Sequence, residues 1–147
     1  RFCLDNSLIP EFKGWSVKKQ EYTLGKSRFD FLLERDGQEK LLEVKSATLV
    51  EDGIARFPDA VTSRGRRHVL HLGESITLTR SAAVLFIIQR SDALSFEPHW
   101  GRDPEFAQAL QSSVNNGVEL VVYTTKLKPD SMTLRSSIPY TLEHKHA

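Results

Sequence analysis

Cysteine is almost absent: a single Cys3 cannot form an internal disulfide, and it excludes a cysteine-built zinc site. Net charge is almost absent too. Lys and Arg number 20 against 19 Asp and Glu, leaving +1, so bulk positive charge cannot hold a polyanion and any such site must be local. Long apolar runs are missing: the longest, Ala82 to Ile88, has seven residues, far below a membrane span. No cleavable signal pattern opens the sequence, and no repeat runs through it at a fixed period. What is present suits a folded domain: 147 residues, 39% apolar and 27% charged, too hydrophobic and too balanced for disorder. The expectation is one globular domain, residues 1–147, in a reducing compartment: soluble, cytoplasmic and without a membrane partner.

Periodicity orders the chain. Leu4, Leu8 and Phe12 recur at helical spacing, but Pro10 ends the helix, and a turn comes next at Gly14. Trp15 to Leu24 reads as a loose strand, Gly25-Lys26-Ser27 as a turn, and Arg28 to Glu34 as a strong strand. Asp36-Gly37 is a hairpin signal, because both central positions of the favoured tight turn need positive φ, and Lys40 to Thr48 returns from it. Pro58 and Asp59 look like a helix start, with Asp59 as N-cap. Val61, Gly65, His68, Val69, Leu72 and Ile76 then form the helix's apolar stripe. Val84 to Gln89 has the composition of a buried central strand. Asp103-Pro104 starts a second helix that Gly117 ends, and Val118 to Tyr123 is a further strand, so a parallel crossover is expected. From Lys126 onward no element is assigned. The order predicts an α/β domain, a mixed central sheet flanked by helices.

The Asp36-Gly37 turn fixes a register. With these two as its central residues, Asp30 falls opposite Glu43 and Arg28 opposite Lys45. All four share one face, and Phe29, Phe31, Leu42 and Val44 share the other. Two carboxylates placed across strands repel, and a divalent cation between them would relieve the repulsion and use both as hard oxygen ligands. Lys45 could then hold a water or stabilise developing negative charge. The same pattern also suits a solvated face on which Lys45 neutralises both acids.

Asp30 with Glu43-Val44-Lys45 resembles the signature of the PD-(D/E)xK nuclease-like superfamily. The surroundings are more specific: Ser27-Arg28-Phe29-Asp30-Phe31-Leu32-Leu33, Leu42-Glu43-Val44-Lys45-Ser46, the run from Gly53 through Arg56-Phe57-Pro58-Asp59-Ala60-Val61-Thr62, then Arg64-Gly65 and His68. With Val84 to Arg90 and Asp103 to Ala107, these blocks resemble the sugar fermentation stimulation protein A family. The resemblance implies a restriction-endonuclease-like core that binds DNA. Asp30 and Glu43 would be ligands of Mg2+ or Mn2+, the Val44 carbonyl would assist, and Lys45 would be the catalytic base. It also implies an OB-fold-like domain ahead of this core, absent from this sequence, so the expectation is either a fragment or an incomplete metal site. An acid supplied by an upstream helix would fall near Arg1 or Phe2, where none stands, which leaves Asp5 and Glu11 as substitutes.

Basic charge gathers in two stretches, Lys13 to Arg28 and Arg56 to His71. Arg28, Arg64, Arg66, Arg67 and His68 are the candidate nucleic-acid contacts, the last four near a helix N-terminus that itself attracts phosphate. A solvated helix face, and a core role for His68, are the plainer alternatives. Gln89 and Asp59 are possible accessory residues, Asp59 being explained equally well as a cap. Trp15, beside Lys18 and Lys19, could stack on a base. The expected function is metal-dependent hydrolysis of DNA. The alternative is a non-catalytic DNA-binding or regulatory protein, linked to sugar metabolism, that keeps the nuclease fold.

Overall fold

The computed structural model describes residues 9–128 and 131–144. Asp5, and the part of the first predicted helix before Ile9, lie outside the described residues; Pro10–Phe12 form a short 3-10 turn. The main sheet has six strands in the order β1-β2-β3-β6-β8-β9. These are β1 (Ser16–Leu24), β2 (Ser27–Arg35), β3 (Gln38–Ala47), β6 (Arg80–Ile88), β8 (Glu119–Lys128) and β9 (Ser131–Ser137). A smaller sheet, β4-β5-β7, is formed by Val50–Glu51, Ile54–Phe57 and Ser95–Pro98. Two helices complete the described fold, α1 (Ser63–Glu74) and α2 (Pro104–Asn115).

The hairpin forms as its turn residues dictate. Asp36 and Gly37 sit at φ +49° and +81°, and Phe31 pairs with Leu42 down to Arg35 with Gln38, in the expected register. β6 is parallel to both β3 and β8, so the apolar run is the buried centre of a sheet whose two crossovers carry α1 and α2. The result is a mixed α/β architecture, as expected.

Both helices pack on one face of the sheet. Val69 and Leu72 of α1 and Phe106 and Leu110 of α2 join Leu32, Leu41, Val84 and Phe86 there. The opposite face buries Leu33, Leu42, Leu85 and Val121 beneath Ile9 and Phe12. The helices touch closely. A β-carbon on Gly73 would meet Ser113 at about 3.5 Å, and Ser113 Oγ donates to the Val69 carbonyl at 2.7 Å. No helix among the described residues is long and apolar enough to cross a membrane.

One helix boundary differs from expectation. α1 begins at Ser63, not at Pro58, and its N-cap is Thr62, whose hydroxyl accepts from Gly65 N at 3.0 Å. Asp59 is therefore not the cap; it is exposed in the preceding loop and borders a small hollow with Ser46 and Arg56. The reason is a competition that a distant group decides. Thr62 is tied at both ends, because its own N–H donates to Asp103 Oδ2 at 2.8 Å, and no such second tie holds Asp59 among the described residues. Asp103 caps α2 as predicted, through Oδ1 to Phe106 N at 3.0 Å, so one carboxylate fixes the starts of both helices.

Candidate functional site

The β2–β3 ladder stops at Phe31 and Leu42, and beyond it the strands part over α1. A cleft of about 320 Å³ opens there. Asp30, Glu43 and Lys45 line it from the strands; Arg28, Arg64 and His68 line it from the rim and from α1. Six of the residues singled out in the sequence are thus brought together.

The strand separation is caused at Asp30. Neither ladder pairs it: β1 skips from Gln20–Phe31 to Tyr22–Phe29, and β3 ends one position earlier. The skipped β1 residue, Glu21, has φ +51°, an uncommon conformation for a side chain of that size. Phe29 consequently leaves the face expected for it. It stands against the rings of His68 and His71 at 5.8 and 5.4 Å, on the helix side. Where the Arg28–Lys45 pairing was expected there is an open cleft.

Each carboxylate is held by one oxygen. Asp30 Oδ2 accepts from the Val44 N–H at 2.7 Å, taking the place of a ladder partner. Glu43, only 4% exposed, accepts at Oε2 from His68 Nδ1 at 2.6 Å, and Lys45 Nζ lies 3.4 Å from the same atom. Apart from a proton that the two acids can share, no donor among the described residues is bonded to Asp30 Oδ1 or Glu43 Oε1. Burial pushes the Asp30 carboxyl up to about 6, helped by proton sharing with Glu43 and by its charge, against the pull of Val44 N–H and Lys45. Burial also opposes ionisation of Glu43, but Asp30, Lys45 and His68 together hold it below the ordinary carboxylate range. The pair therefore carries about one negative charge at mild acidity and two at higher pH.

This donor set fits a hard divalent cation. Two oxygens close in space, on carboxylates that resist joint ionisation, are relieved by positive charge between them. Among the described residues no three acidic, histidine or cysteine side chains are already gathered as a metal cage. A cation held here would keep several waters, as Mg2+ does.

Other expectations separate from the cleft. Arg66 turns to Glu105, at 3.7 Å, and borders a groove between the helices; Arg67 is exposed and does not line the cleft. Gln89 donates to Ser46 Oγ at 3.3 Å and borders a separate hollow with Arg90 and Lys126. His68 is buried against Glu43, not presented to solvent. Gly65 is small chiefly because the capping Thr62 is near: a β-carbon would stand 2.9 Å from Thr62 Cγ2, and 3.4 Å from Phe106 of α2. Glu11 accepts from Tyr123 Oη at 2.7 Å and is not part of the cleft lining. Trp15 is already occupied by Arg35 and Lys40, at 4.6 and 4.8 Å from its ring, so its base-stacking role has no support.

One lining residue escapes the sequence pattern as read above. Glu21 places a third carboxylate on the cleft wall. A signal for it exists: β1 and β2 pair as Leu24–Ser27, Thr23–Arg28 and Tyr22–Phe29 about the Gly25-Lys26 turn, and continuing that count sets Glu21 opposite Asp30.

Known proteins bear on the family and the fold. Residues 2–131 match the family described as sugar fermentation stimulation protein RE domain. A sugar fermentation stimulation protein homolog from Syntrophotalea carbinolica is 40% identical over 96% of this chain and 61% of its own length. The homolog from Methanothermobacter thermautotrophicus is 40% identical over 82% of this chain and 50% of its own. A solved structure, that of Pyrococcus furiosus SfsA in complex with Ca2+, superposes with a TM-score of 0.88 at 28% identity. It covers 95% of this chain and 61% of that one. The chain thus spans between half and about three fifths of the length of these relatives. By profile, identity and fold together, it belongs to the sugar fermentation stimulation protein family.

Proposed function

We propose that this domain binds DNA and hydrolyses its phosphodiester bonds with the help of Mg2+ or Mn2+. The observation that carries the reading is the carboxylate pair: Asp30 and Glu43 line one cleft with Lys45, and each has one oxygen tied to a protein donor and one without such a donor among the described residues. The Ca2+ in the Pyrococcus furiosus relative supports it, because calcium and magnesium both select hard oxygen ligands. Asp30 and Glu43 would hold the ion, which when bound lowers the pKa of a water and neutralises charge on the phosphate. Lys45, its ammonium beside Glu43, is placed to orient the attacking water and to stabilise negative charge as it develops. Water would add to phosphorus as the bond to one sugar oxygen breaks, the water giving up a proton to solvent and the leaving oxygen taking one from it.

The strand is held by the rim. Arg28 and Arg64 line the cleft, and neither has an ion-pair partner among the described residues. The first turn of α1 lies in the same wall, where the helix dipole favours anions. These contacts reach phosphate and not base edges, so binding would be salt-dependent and largely indifferent to sequence.

The test is cleavage of DNA with Mg2+ or Mn2+ by the wild-type chain, Asp30→Ala and Lys45→Ala. Each variant should lose roughly 100-fold or more in rate, the scale of a positioned catalytic group. DNA binding without metal-dependent cleavage would overturn hydrolysis and leave the domain as a DNA-binding protein that keeps the nuclease fold.

A further inference from the structure

His68 stands out because the contact it makes is not the one its position in the basic stretch suggests. It lies on α1 one turn beyond Arg64, yet it is only 8% exposed and its Nδ1 is 2.6 Å from Glu43 Oε2. Lys45 Nζ lies 3.4 Å from the same oxygen, and an ammonium can only donate, so Oε2 is an acceptor and the ring nitrogen is its second donor. We propose that His68 is a positioning residue for the metal-binding carboxylate: its Nδ1–H fixes Glu43 Oε2, sets the carboxylate plane, and leaves Oε1 presented to the cleft.

This rests on the reading of Asp30 and Glu43 as ligands of a divalent ion. It does not require His68 to touch substrate. Groups that hold a ligating side chain from behind orient it and are costly to remove.

The surroundings of His68 are built to keep that contact. Phe29, carried to the helix face by the break at Asp30, stands edge-on against its ring. The next residue, Val69, is tied through its carbonyl to Ser113 of α2. The start of α1 is tied through Thr62 N–H to Asp103, and Gly65 lets the first turn sit against Phe106. The position of His68 relative to β3 is therefore set from α2. Lys45, the other group on Glu43 Oε2, is longer and lies farther away, at 3.4 Å, so it can hold charge without fixing direction.

Three substitutions separate the roles. His68→Asn keeps an N–H donor where Nδ1 stands. His68→Gln carries its donor one bond farther out, and His68→Phe keeps the ring and loses the donor. Titration of the whole chain with Mn2+ by calorimetry, without DNA, should show His68→Gln and His68→Phe weakened by roughly 10- to 100-fold and His68→Asn close to wild type. Thermal unfolding without metal controls for folding; if His68→Phe does not fold, the Asn and Gln pair decides alone.

Wild-type Mn2+ affinity in His68→Gln or His68→Phe, or an equal loss in His68→Asn and His68→Gln, would overturn the inference alone. If the wild-type chain takes up no Mn2+, the metal reading fails first and the inference with it.

Discussion

Replacing Asp30 by Asn should stabilise the metal-free protein while removing its response to metal. The carboxyl is pushed up to about 6, against an ordinary 3.8, chiefly by burial and then by Glu43. A raised carboxyl pKa means the folded state binds the proton more tightly than the unfolded state does. Stability is therefore lost as pH rises from near 4 to above 6, and the whole cost is present at pH 7.5. A shift of this size corresponds to about 3 kcal/mol at most. Because Asp30 is only partly buried, solvent screening reduces that to about 1–2 kcal/mol. The Asn side-chain oxygen can still accept from Val44 N–H, so the hydrogen bond survives while the charge goes. In a chain of this size about 1–2 kcal/mol is worth roughly 2–8 °C in melting temperature. The assay is thermal unfolding of wild type and Asp30→Asn in EDTA at pH 4.5 and 7.5, then with millimolar Mg2+ or Mn2+. Asp30→Asn should melt higher at pH 7.5 and by only about a third as much at pH 4.5, and the divalent ion should raise only the wild type. Comparing variants within each pH cancels the titrating groups that are not coupled to Asp30; Glu43 is coupled to it. A lower melting point for Asp30→Asn at pH 7.5 in EDTA, or a difference independent of pH, would refute the reasoning.

The same geometry sets other outcomes. Glu21→Gln should weaken Mn2+ binding severalfold with little change in melting temperature, since its exposed carboxylate lines the cleft without a partner among the described residues; calorimetry reads this. Arg28→Ala with Arg64→Ala should lower the salt slope of DNA binding by about 2, while Arg66→Ala with Arg67→Ala should change it less, because those two do not line the cleft. Asp103→Ala removes the acceptor from two N–H groups at once and should cost about 2–4 kcal/mol in urea unfolding, more than a single N-cap.

How much is legible in the sequence depends on whether local or distant groups decide the outcome. The Asp36-Gly37 hairpin needs only its turn residues, and β6 needs only its apolar run; both form as expected. The N-cap of α2 is likewise local to Asp103 and Pro104. The cap of α1 is not: Thr62 prevails over Asp59 through Asp103, which is 41 residues away. Strand alternation brings Asp30, Glu43 and Lys45 to one cleft but fails for Phe29, because alternation assumes a continuous ladder and this one breaks at Asp30. The small sheet leaves no trace in the pattern since β4 has two residues and β5 and β7 four each, too short for period-two alternation.

Charge read along the chain also misstates charge on the surface. The stretch from Lys13 to Arg28 is strongly basic in sequence, yet Lys18 lies 3.1 Å from Glu39 and 3.9 Å from Glu34 on neighbouring strands. In the helix, Arg66 is matched by Glu105. The cations that line the cleft without an acidic partner among the described residues, Arg28 and Arg64, come one from each stretch and share the cleft with the acidic pair. Net neutrality is thus compatible with a phosphate-binding rim because cancellation occurs across strands and helices while the rim is left unmatched. A phosphate entering between Arg28 and Arg64 would meet Asp30 and Glu43 next, and at neutral pH these repel it unless a cation lies between. If the cleft binds DNA as proposed, the same two carboxylates should make that binding weaker in EDTA than with a divalent ion, and Asp30→Asn should shrink that difference, a dependence that a purely basic patch would not show.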